Sequence, residues 1–223
     1  MLKNLLAVLA ITLAFASTSS AQNKYFLTYY NKAEKLYEAE DYINAKLYYD
    51  SAIKINPKHA FSYYKRGKSL YAESKLQEAI NDFNTSLFLE PKNADAYNFR
   101  GDAKIWLQDT LSGIRDFDTS ILLKPDNFYF RIDRGYAYLD LDSNNMALKD
   151  FKYAYQLNPK KYDASFYTGV AYFYLEEYDS SHAYLNKATD IDSTVSNPYY
   201  YRARINYIED NYNSALAEIN SAI

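Results

Sequence analysis

The residues that most often carry out chemistry are scarce in this sequence of 223 residues. It contains no Cys, which excludes a thiol nucleophile, a disulfide framework and a Cys-based zinc or iron–sulfur site. The two histidines, His59 and His182, lie several predicted helices apart, whereas both would have to approach a shared metal ion to about 2 Å. No H-E-x-x-H, G-x-S-x-G, paired-carboxylate or glycine-rich phosphate-binding motif occurs. We therefore expect no enzymatic activity, no metal site and no cofactor.

The charge and composition are those of a folded protein that does not bind nucleic acid. Lys and Arg number 25 against 28 Asp and Glu, giving a net charge of −3, whereas nucleic-acid-binding domains are usually strongly basic. Apolar residues make up 48% of the chain, which is enough to form a packed core. The 27 tyrosines are far more than an average protein contains.

The segment from Met1 to Ala21 has the pattern of a secretory signal peptide. Lys3 precedes an apolar run from Leu5 to Ala16, and small residues follow up to Ala21. The run is shorter than the roughly 20 residues that a membrane-spanning helix needs, and without Cys the chain cannot be a lipoprotein. We expect cleavage after Ala21 and export to the periplasm or the exterior.

The rest of the sequence is periodic. Its period equals the spacing between Pro57 and Pro91, and no insertion interrupts it. Four of the five prolines and four of the five glycines follow this period. The prolines are Pro57, Pro91, Pro125 and Pro159, and the glycines are Gly67, Gly101, Gly135 and Gly169. A large apolar position recurs as Tyr49, Phe83, Phe117, Phe151, Leu185 and Ile219. Each repeat is predicted to form two helices, the second ending two residues before the proline.

This pattern resembles the tetratricopeptide repeat family, whose unit of about 34 residues is a helix–turn–helix. Repeat two carries the family's residues at Tyr63, Gly67, Ala79, Phe83 and Pro91, whereas repeat five is the most degenerate. The resemblance implies an all-α, right-handed superhelical solenoid with a concave binding groove. A single domain of residues 22–223 would hold six repeats: 26–59, 60–93, 94–127, 128–161, 162–195 and an incomplete 196–223.

The family resemblance also indicates which side chains face the groove. In this family the second, fifth, ninth and twelfth positions of each repeat point into it. Tyrosine-rich faces are favourable binding surfaces because each ring offers rigid apolar area and a polar tip. The alternative is that tyrosine is common at some of these positions throughout the family and has no binding role here. The candidate groove residues are Tyr30, Tyr37, Tyr64, Lys68, Tyr71, Asp95, Asn98, Asp102, Tyr136, Phe166, Phe173, Tyr200, Arg204 and Tyr207.

A basic residue recurs in the first helix of most repeats, and an acidic residue follows it 16 positions later. The two positions tend to change together: in repeat five both are missing, replaced by Thr168 and Tyr184, whereas in repeat one Lys32 is matched by Tyr48. We predict ion pairs between helices rather than a row of arginines that binds an anion. The expected pairs are Arg66–Asp82, Arg100–Asp116, Arg134–Asp150 and Arg202–Glu218. Asp41, Asp109, Ser143 and Asn211 are expected to cap the second helices.

The last predicted helix carries Leu216, Ile219 and Ile223, with no later helix in the sequence to cover them. The chain is therefore either part of a longer protein or associates with a partner or with itself at this end. The sequence favours an exported scaffold for protein or peptide partners, with self-association possible through the last helix. Two alternatives stay open: the repeats are an arm of a larger envelope enzyme or regulator, or they bind glycan or peptidoglycan through tyrosine rings.

Overall fold

The computed structural model describes residues 22–222, and all regular secondary structure within them is α-helical. The predicted signal peptide and Ile223 lie outside the described residues. No helix among those residues is long and apolar enough to cross a membrane. The helices are α1 (22–38), α2 (Tyr42–Ile55), α3 (Ala60–Ala72), α4 (Leu76–Leu89), α5 (Ala94–Trp106), α6 (Thr110–Leu123), α7 (Phe128–Leu139), α8 (Asn144–Leu157), α9 (Tyr162–Tyr174), α10 (Tyr178–Ile191), α11 (Asn197–Ile208) and α12 (Tyr212–Ser221).

The chain divides into two compact units, with the boundary between Leu107 and Gln108. In unit 1, α3 packs against α2 and α4, and α4 packs against α5. In unit 2, each helix from α6 to α12 packs against the next one along the chain, and α9 also contacts α7 and α11. Within each unit the fold is therefore a stack of helical hairpins, which confirms the predicted all-α repeat class.

The repeating large apolar position forms the centre of the hairpin stack. Four of its members, Tyr49, Phe83, Phe151 and Leu185, are completely buried. The glycine of the preceding helix makes room for this side chain. A Cβ atom at Gly67 would lie 2.7 Å from Cε1 of Phe83, and one at Gly169 would lie 2.9 Å from Cγ of Leu185. A methyl group has no space there, so the period of the glycines reflects close packing of the two helices in each repeat.

Each turn between the two helices of a repeat contains one residue in the left-handed conformation. These residues recur with the period of the repeat and none is glycine, although this conformation is unfavourable for most side chains. Within both units such turns are closed by a backbone hydrogen bond that reaches back five residues, such as the 2.8 Å bond from Ser143 N to Tyr138 O. The left-handed residues are Glu40, Ser74, Gln108, Asp142, Glu176 and Asp210.

The capping prediction is confirmed at two of its four positions. The side chains of Asp41 and Asp109 accept hydrogen bonds from backbone amides in the first turns of α2 and α6. Ser143 and Asn211 are at the expected places but form no side-chain cap, so the prediction is wrong there. The sequence reading also missed His59, whose Nδ1 accepts a hydrogen bond from Ser62 N at the start of α3.

The predicted ion pairs between helices form in both units. Arg66 donates from Nε and Nη2 to the two carboxylate oxygens of Asp82, at 2.7 and 2.5 Å. Arg134 holds Asp150 in the same way, with both distances at 2.7 Å. Arg202 holds Glu218 at 2.9 and 2.7 Å. The pair Arg100–Asp116 would join the two units and stays a prediction.

Each of these arginines also has a partner that the sequence reading missed. The remaining guanidinium nitrogen, Nη1, contacts a residue 16 positions earlier, in the second helix of the preceding repeat. The contacts are Arg66 to Asp50 at 2.6 Å, Arg100 to Asn84 at 2.7 Å, Arg134 to Asp118 at 2.5 Å and Arg202 to Asn186 at 3.0 Å. The guanidinium groups therefore connect adjacent repeats, which favours the structural role over an exposed anion-binding row.

Candidate functional site

Unit 2 contains an open cavity of about 470 Å³ lined mainly by tyrosines. Its volume is within the range of small-ligand pockets, which runs from roughly 300 to 1,000 Å³. The lining residues come from α7, α9 and α11, the first helices of three consecutive repeats, and from the turn after α7 and the start of α8. We call it the Tyr136 cavity, and it is lined by Tyr136, Leu139, Asp140, Asp142, Asn144, Phe166, Tyr167, Val170, Tyr174, Asn197, Tyr200 and Tyr201.

The floor and the walls of the Tyr136 cavity differ in exposure. Phe166 and Val170 belong to the core of α9 and are buried, with Phe166 only 6% exposed. Tyr136 is 41% exposed and Tyr200 is 55% exposed. Because α9 is buried between its neighbours, it supplies a rigid apolar floor, whereas α7 and α11 present rings that a ligand can cover.

The phenol groups of the cavity contact one another and stay neutral. The rings of Tyr136 and Tyr167 meet edge to face, with centres 4.4 Å apart. Burial and a hydrogen bond between the two hydroxyl groups raise the pKa of Tyr136 above its ordinary value. Burial likewise raises the pKa of Tyr201, helped by a hydrogen bond with Tyr174. These groups can therefore donate or accept hydrogen bonds at neutral pH, and they carry no charge.

The rim of the Tyr136 cavity is acidic. Asp140 follows the end of α7, and Asp142 is the left-handed residue of the next turn. Both are exposed. Asn144, at the start of α8, donates from Nδ2 to the backbone carbonyl of Tyr174 at 3.3 Å, which links this rim to the end of α9. The turn geometry thus places two carboxylates beside an aromatic cavity.

A second cavity, of about 400 Å³, lies between α11 and α12. We call it the terminal cavity, and it is lined by Tyr200, Ala203, Arg204, Tyr207, Ile208, Ala215 and Ile219. Beside it, Leu216 is largely exposed, and Ile219 is 49% exposed, whereas Leu185, at the equivalent position of the preceding repeat, is completely buried. The apolar face predicted for the last helix is therefore present in the structure.

In unit 1 the candidate groove residues form contacts within the protein. Glu34 accepts a hydrogen bond from the Tyr49 hydroxyl and forms an ion pair of 2.7 Å with Lys65. Burial, together with the nearby Glu34 carboxylate, raises the pKa of Tyr30. Lys68 lies among aromatic rings, 4.7 Å from the centre of Phe99 and 5.1 Å from that of Tyr37.

The acidic patch predicted in the middle of the groove is partly buried. Tyr71 donates a hydrogen bond from its hydroxyl to Asp102. Burial raises the pKa of the Asp102 carboxyl group, and this hydrogen bond lowers it in part. Asp95 and Asn98 are also half-buried and engaged in contacts within the protein. Asp102 is therefore less available to a partner than the sequence suggested.

The predicted groove residues fall into three groups. Tyr136, Phe166 and Tyr200 line the Tyr136 cavity. Arg204 and Tyr207 line the terminal cavity together with Tyr200. The rest lie in unit 1 or in the core: Tyr64 and Phe173 are buried.

Sequence reasoning missed Tyr167 and Tyr201, although both occupy the sixth position of their repeats. That shared position, directly after a groove position, was the available signal.

Sequence and structure comparisons agree on the family. Models of the tetratricopeptide repeat match residues 27–59, 64–103 and 132–196, which together make up more than half of the chain. No curated protein matches the sequence. The fold is similar to that of PilF from Pseudomonas aeruginosa, at 14% identity over 89% of this chain and 90% of that one, with a TM-score of 0.76.

Two further solved structures share the fold. A tetratricopeptide repeat protein from Parabacteroides merdae is 20% identical over 88% of this chain and 78% of its own, with a TM-score of 0.76. YrrB, described as a protein of this type with an unusual peptide-binding site, is 22% identical over 82% of this chain and 94% of its own, with a TM-score of 0.67. Repeats of this kind typically form non-catalytic interaction scaffolds. The chain is a member of the tetratricopeptide repeat family.

Proposed function

We propose that the protein is an exported, non-catalytic scaffold that binds a partner polypeptide in the Tyr136 cavity. The observation that carries this proposal is the cavity of about 470 Å³ with a buried apolar floor and exposed tyrosine walls. Aromatic side chains that are rigid on one side and accessible on the other are typical anchors of protein interfaces. The peptide-binding site described for YrrB, which shares this fold, is consistent with the same use of the repeat surface.

A peptide selection experiment tests the proposal. A random dodecamer library displayed on phage is selected on the full chain and, in parallel, on Tyr136→Ala/Tyr200→Ala. The matched control is Tyr25→Ala, because Tyr25 lies in unit 1 and is 60% exposed, similar to Tyr200 at 55%. We expect the wild type and the control to enrich the same peptides and the double variant to lose them. Equal enrichment on the double variant would contradict peptide binding in this cavity.

The glycan alternative is separated by the same variants. Stacked tyrosine rings also suit sugar rings, so the protein is incubated with a glycan array that includes peptidoglycan fragments. Binding that requires Tyr136 and Tyr200, in a protein that selects no peptide, would favour the glycan function. The alternative in which the repeats are an arm of a larger enzyme is supported if the gene encodes a catalytic domain in the same reading frame.

Export is part of the proposal and has a separate test. The pattern of Lys3, the apolar run and Ala21 predicts cleavage before Gln22. N-terminal sequencing of the protein recovered from its native cell should begin at Gln22. A mature protein that still begins at Met1 and remains in the cytoplasm would contradict export.

We further propose that a second copy of the chain covers the terminal cavity. The apolar side chains of Leu216 and Ile219 are exposed there, and such patches are often interfaces. Light scattering across a concentration series should show a dimer for the wild type. Leu216→Glu should remain monomeric, and Leu122→Glu, which replaces an exposed leucine of α6, should leave the dimer intact. A wild type that stays monomeric at high concentration would contradict self-association.

A further inference from the structure

We propose that the Tyr136 cavity selects a cationic side chain of its partner, the ammonium group of a lysine or the guanidinium group of an arginine. This inference rests on the proposed function and specifies the chemistry of the ligand. Its first basis is charge complementarity. The lining residues include two carboxylates, Asp140 and Asp142, and no Lys, Arg or His. The charged groups that line the cavity are therefore all of the sign that attracts a cation.

The second basis is the way this chain already uses its tyrosines. Lys187 lies 4.1 Å from the ring centre of Tyr184, and Arg131 lies 4.3 Å from that of Tyr153. Such stacking is favourable because the faces of aromatic rings carry partial negative charge. Outside the cavity, the exposed faces of several rings are thus already covered by the chain's own cations.

Four of the six aromatic rings that line the cavity differ in this respect, the exceptions being Tyr200 and Tyr201, which lie near Arg204. Within residues 22–222, no internal cation stacks on Tyr136, Phe166, Tyr167 or Tyr174. Tyr136, the aromatic ring that α7 contributes to the cavity, is 41% exposed. The neutral phenol of Tyr136 has a hydroxyl oxygen that can accept a hydrogen bond from an ammonium or guanidinium group. The cavity therefore offers ring faces, hydroxyl oxygens and carboxylates together.

The charged residues around the cavity have opposite effects on its electrostatic potential. Asp163, on α9, is close enough to Tyr136 to raise its pKa, and it adds negative potential. Arg204 lies 5.6 Å from the ring centre of Tyr200 and 5.9 Å from that of Tyr201, and it adds positive potential on the α11 side. A bound cation should therefore lie toward α7, between Tyr136 and the two carboxylates of the rim.

The test uses four small probes of similar size: n-butylammonium, n-butylguanidinium, butyramide and butyrate. Binding to the full chain is followed by NMR through the backbone amide shifts of α7, α9 and α11. We expect saturable shifts with the two cations, and much weaker shifts with the neutral amide and the anion. Equal binding of butyramide and the cations would overturn the proposal.

The carboxylates are tested with Asp140→Asn/Asp142→Asn. Asparagine tolerates the left-handed conformation of position 142 well, so the turn should be preserved. We expect this variant to bind the cations roughly threefold to tenfold more weakly, as the loss of exposed charge partners implies. The matched control is Asp126→Asn/Asp190→Asn, which removes two exposed carboxylates outside the cavity. Equal weakening in both variants would mean that only net charge matters, and would overturn the proposal.

The outcomes distinguish this inference from the proposed function. If selected peptides require Tyr136 and Tyr200 but carry no excess of Lys or Arg, and the cationic probes do not bind, polypeptide binding stands and cation selection fails. If no peptide is selected but the cations bind with dependence on Asp140 and Asp142, the cavity is a cation site and the proposed function fails.

Discussion

Arg134 holds the carboxylate of Asp150 through two hydrogen bonds, and Asp150 is only 2% exposed. Asp150 accepts a further hydrogen bond of 3.1 Å from Arg131. The remaining nitrogen of Arg134 contacts Asp118 on α6, so one guanidinium group joins the second helices of two consecutive repeats. Because the carboxylate is buried, removing Arg134 would leave Asp150 with only the hydrogen bond from Arg131, which compensates a buried charge less completely.

The first prediction concerns this pair. Arg134→Ala and Asp150→Ala should each lower the free energy of unfolding by about 1.5–3 kcal/mol, because each removes two charge-assisted hydrogen bonds. Within residues 22–222, Asp150 would then keep only Arg131 as a partner, and Arg134 would keep only Asp118. The double variant should lose clearly less than the sum. Chemical denaturation of the four proteins measures the coupling, and Arg115→Ala, an exposed arginine of α6, is the control expected to change stability by less than about 0.5 kcal/mol. Strictly additive losses would show that the pair does not act as a unit.

The second prediction concerns His59, which caps α3. Its Nδ1 accepts the Ser62 amide hydrogen bond, and its ring packs against Phe26 with centres 4.8 Å apart. Burial lowers the pKa of His59, with a smaller opposing effect from Glu90. A lowered pKa means that the neutral form stabilises the fold. This contribution is present above the ordinary value of about 6.5 and is lost as the pH falls through the lowered value.

His59→Asn retains a capping side chain without this titration. Between pH 7 and pH 5, the wild type should therefore lose more stability than the variant. Thermal melting at each pH measures the difference, and His182→Asn controls for removal of a histidine elsewhere. Parallel losses in the wild type and His59→Asn would contradict the capping account.

The third prediction concerns Asp102. Burial raises the pKa of its carboxyl group despite the hydrogen bond that Tyr71 donates. A raised pKa in the folded protein means that ionisation opposes folding, so this cost appears as the pH rises above the ordinary value near 3.8. Asp102→Asn can still accept the Tyr71 hydrogen bond. It should be more stable than the wild type at pH 7, by up to about 1 kcal/mol.

The advantage of Asp102→Asn should shrink as the pH falls toward 4, because the wild-type carboxyl group then becomes neutral as well. Urea unfolding at pH 7 and pH 4 gives both values, and Asp126→Asn, at an exposed position, is the comparison. A variant that is less stable than the wild type at pH 7 would show that the Tyr71 hydrogen bond to the ionised carboxylate outweighs its burial.

Much of the fold followed from the period of the sequence. Second helices end at Ile55 and Leu157, two residues before Pro57 and Pro159, as predicted. Because the same residues recur at the same spacing, the helix boundaries predicted for one hairpin apply to the other hairpins as well. The arginine pairs were predictable for the same reason, because a charge and its partner tend to change together between copies. In repeat five, for example, Thr168 and Tyr184 replace them.

The site was less predictable. Phe166 and Tyr200 occupy the same groove position in consecutive repeats, yet Phe166 is buried and Tyr200 is 55% exposed. The ring of Phe166 packs against Tyr201 of the next repeat. A repeat position therefore fixes only the direction of a side chain, and its neighbours determine its exposure. The rim was missed because Asp142 belongs to a turn, where a left-handed backbone directs it toward the cavity.

The central claim is that the tyrosine walls of the Tyr136 cavity bind a polypeptide. The most direct measurement is a fluorescence anisotropy titration of a labelled, library-selected peptide with the wild type, Tyr136→Ala/Tyr200→Ala and Tyr25→Ala, each verified to melt at the wild-type temperature. Loss of two anchoring rings should weaken binding by at least about tenfold, while Tyr25→Ala should bind like the wild type. A double variant with wild-type affinity would contradict the claim.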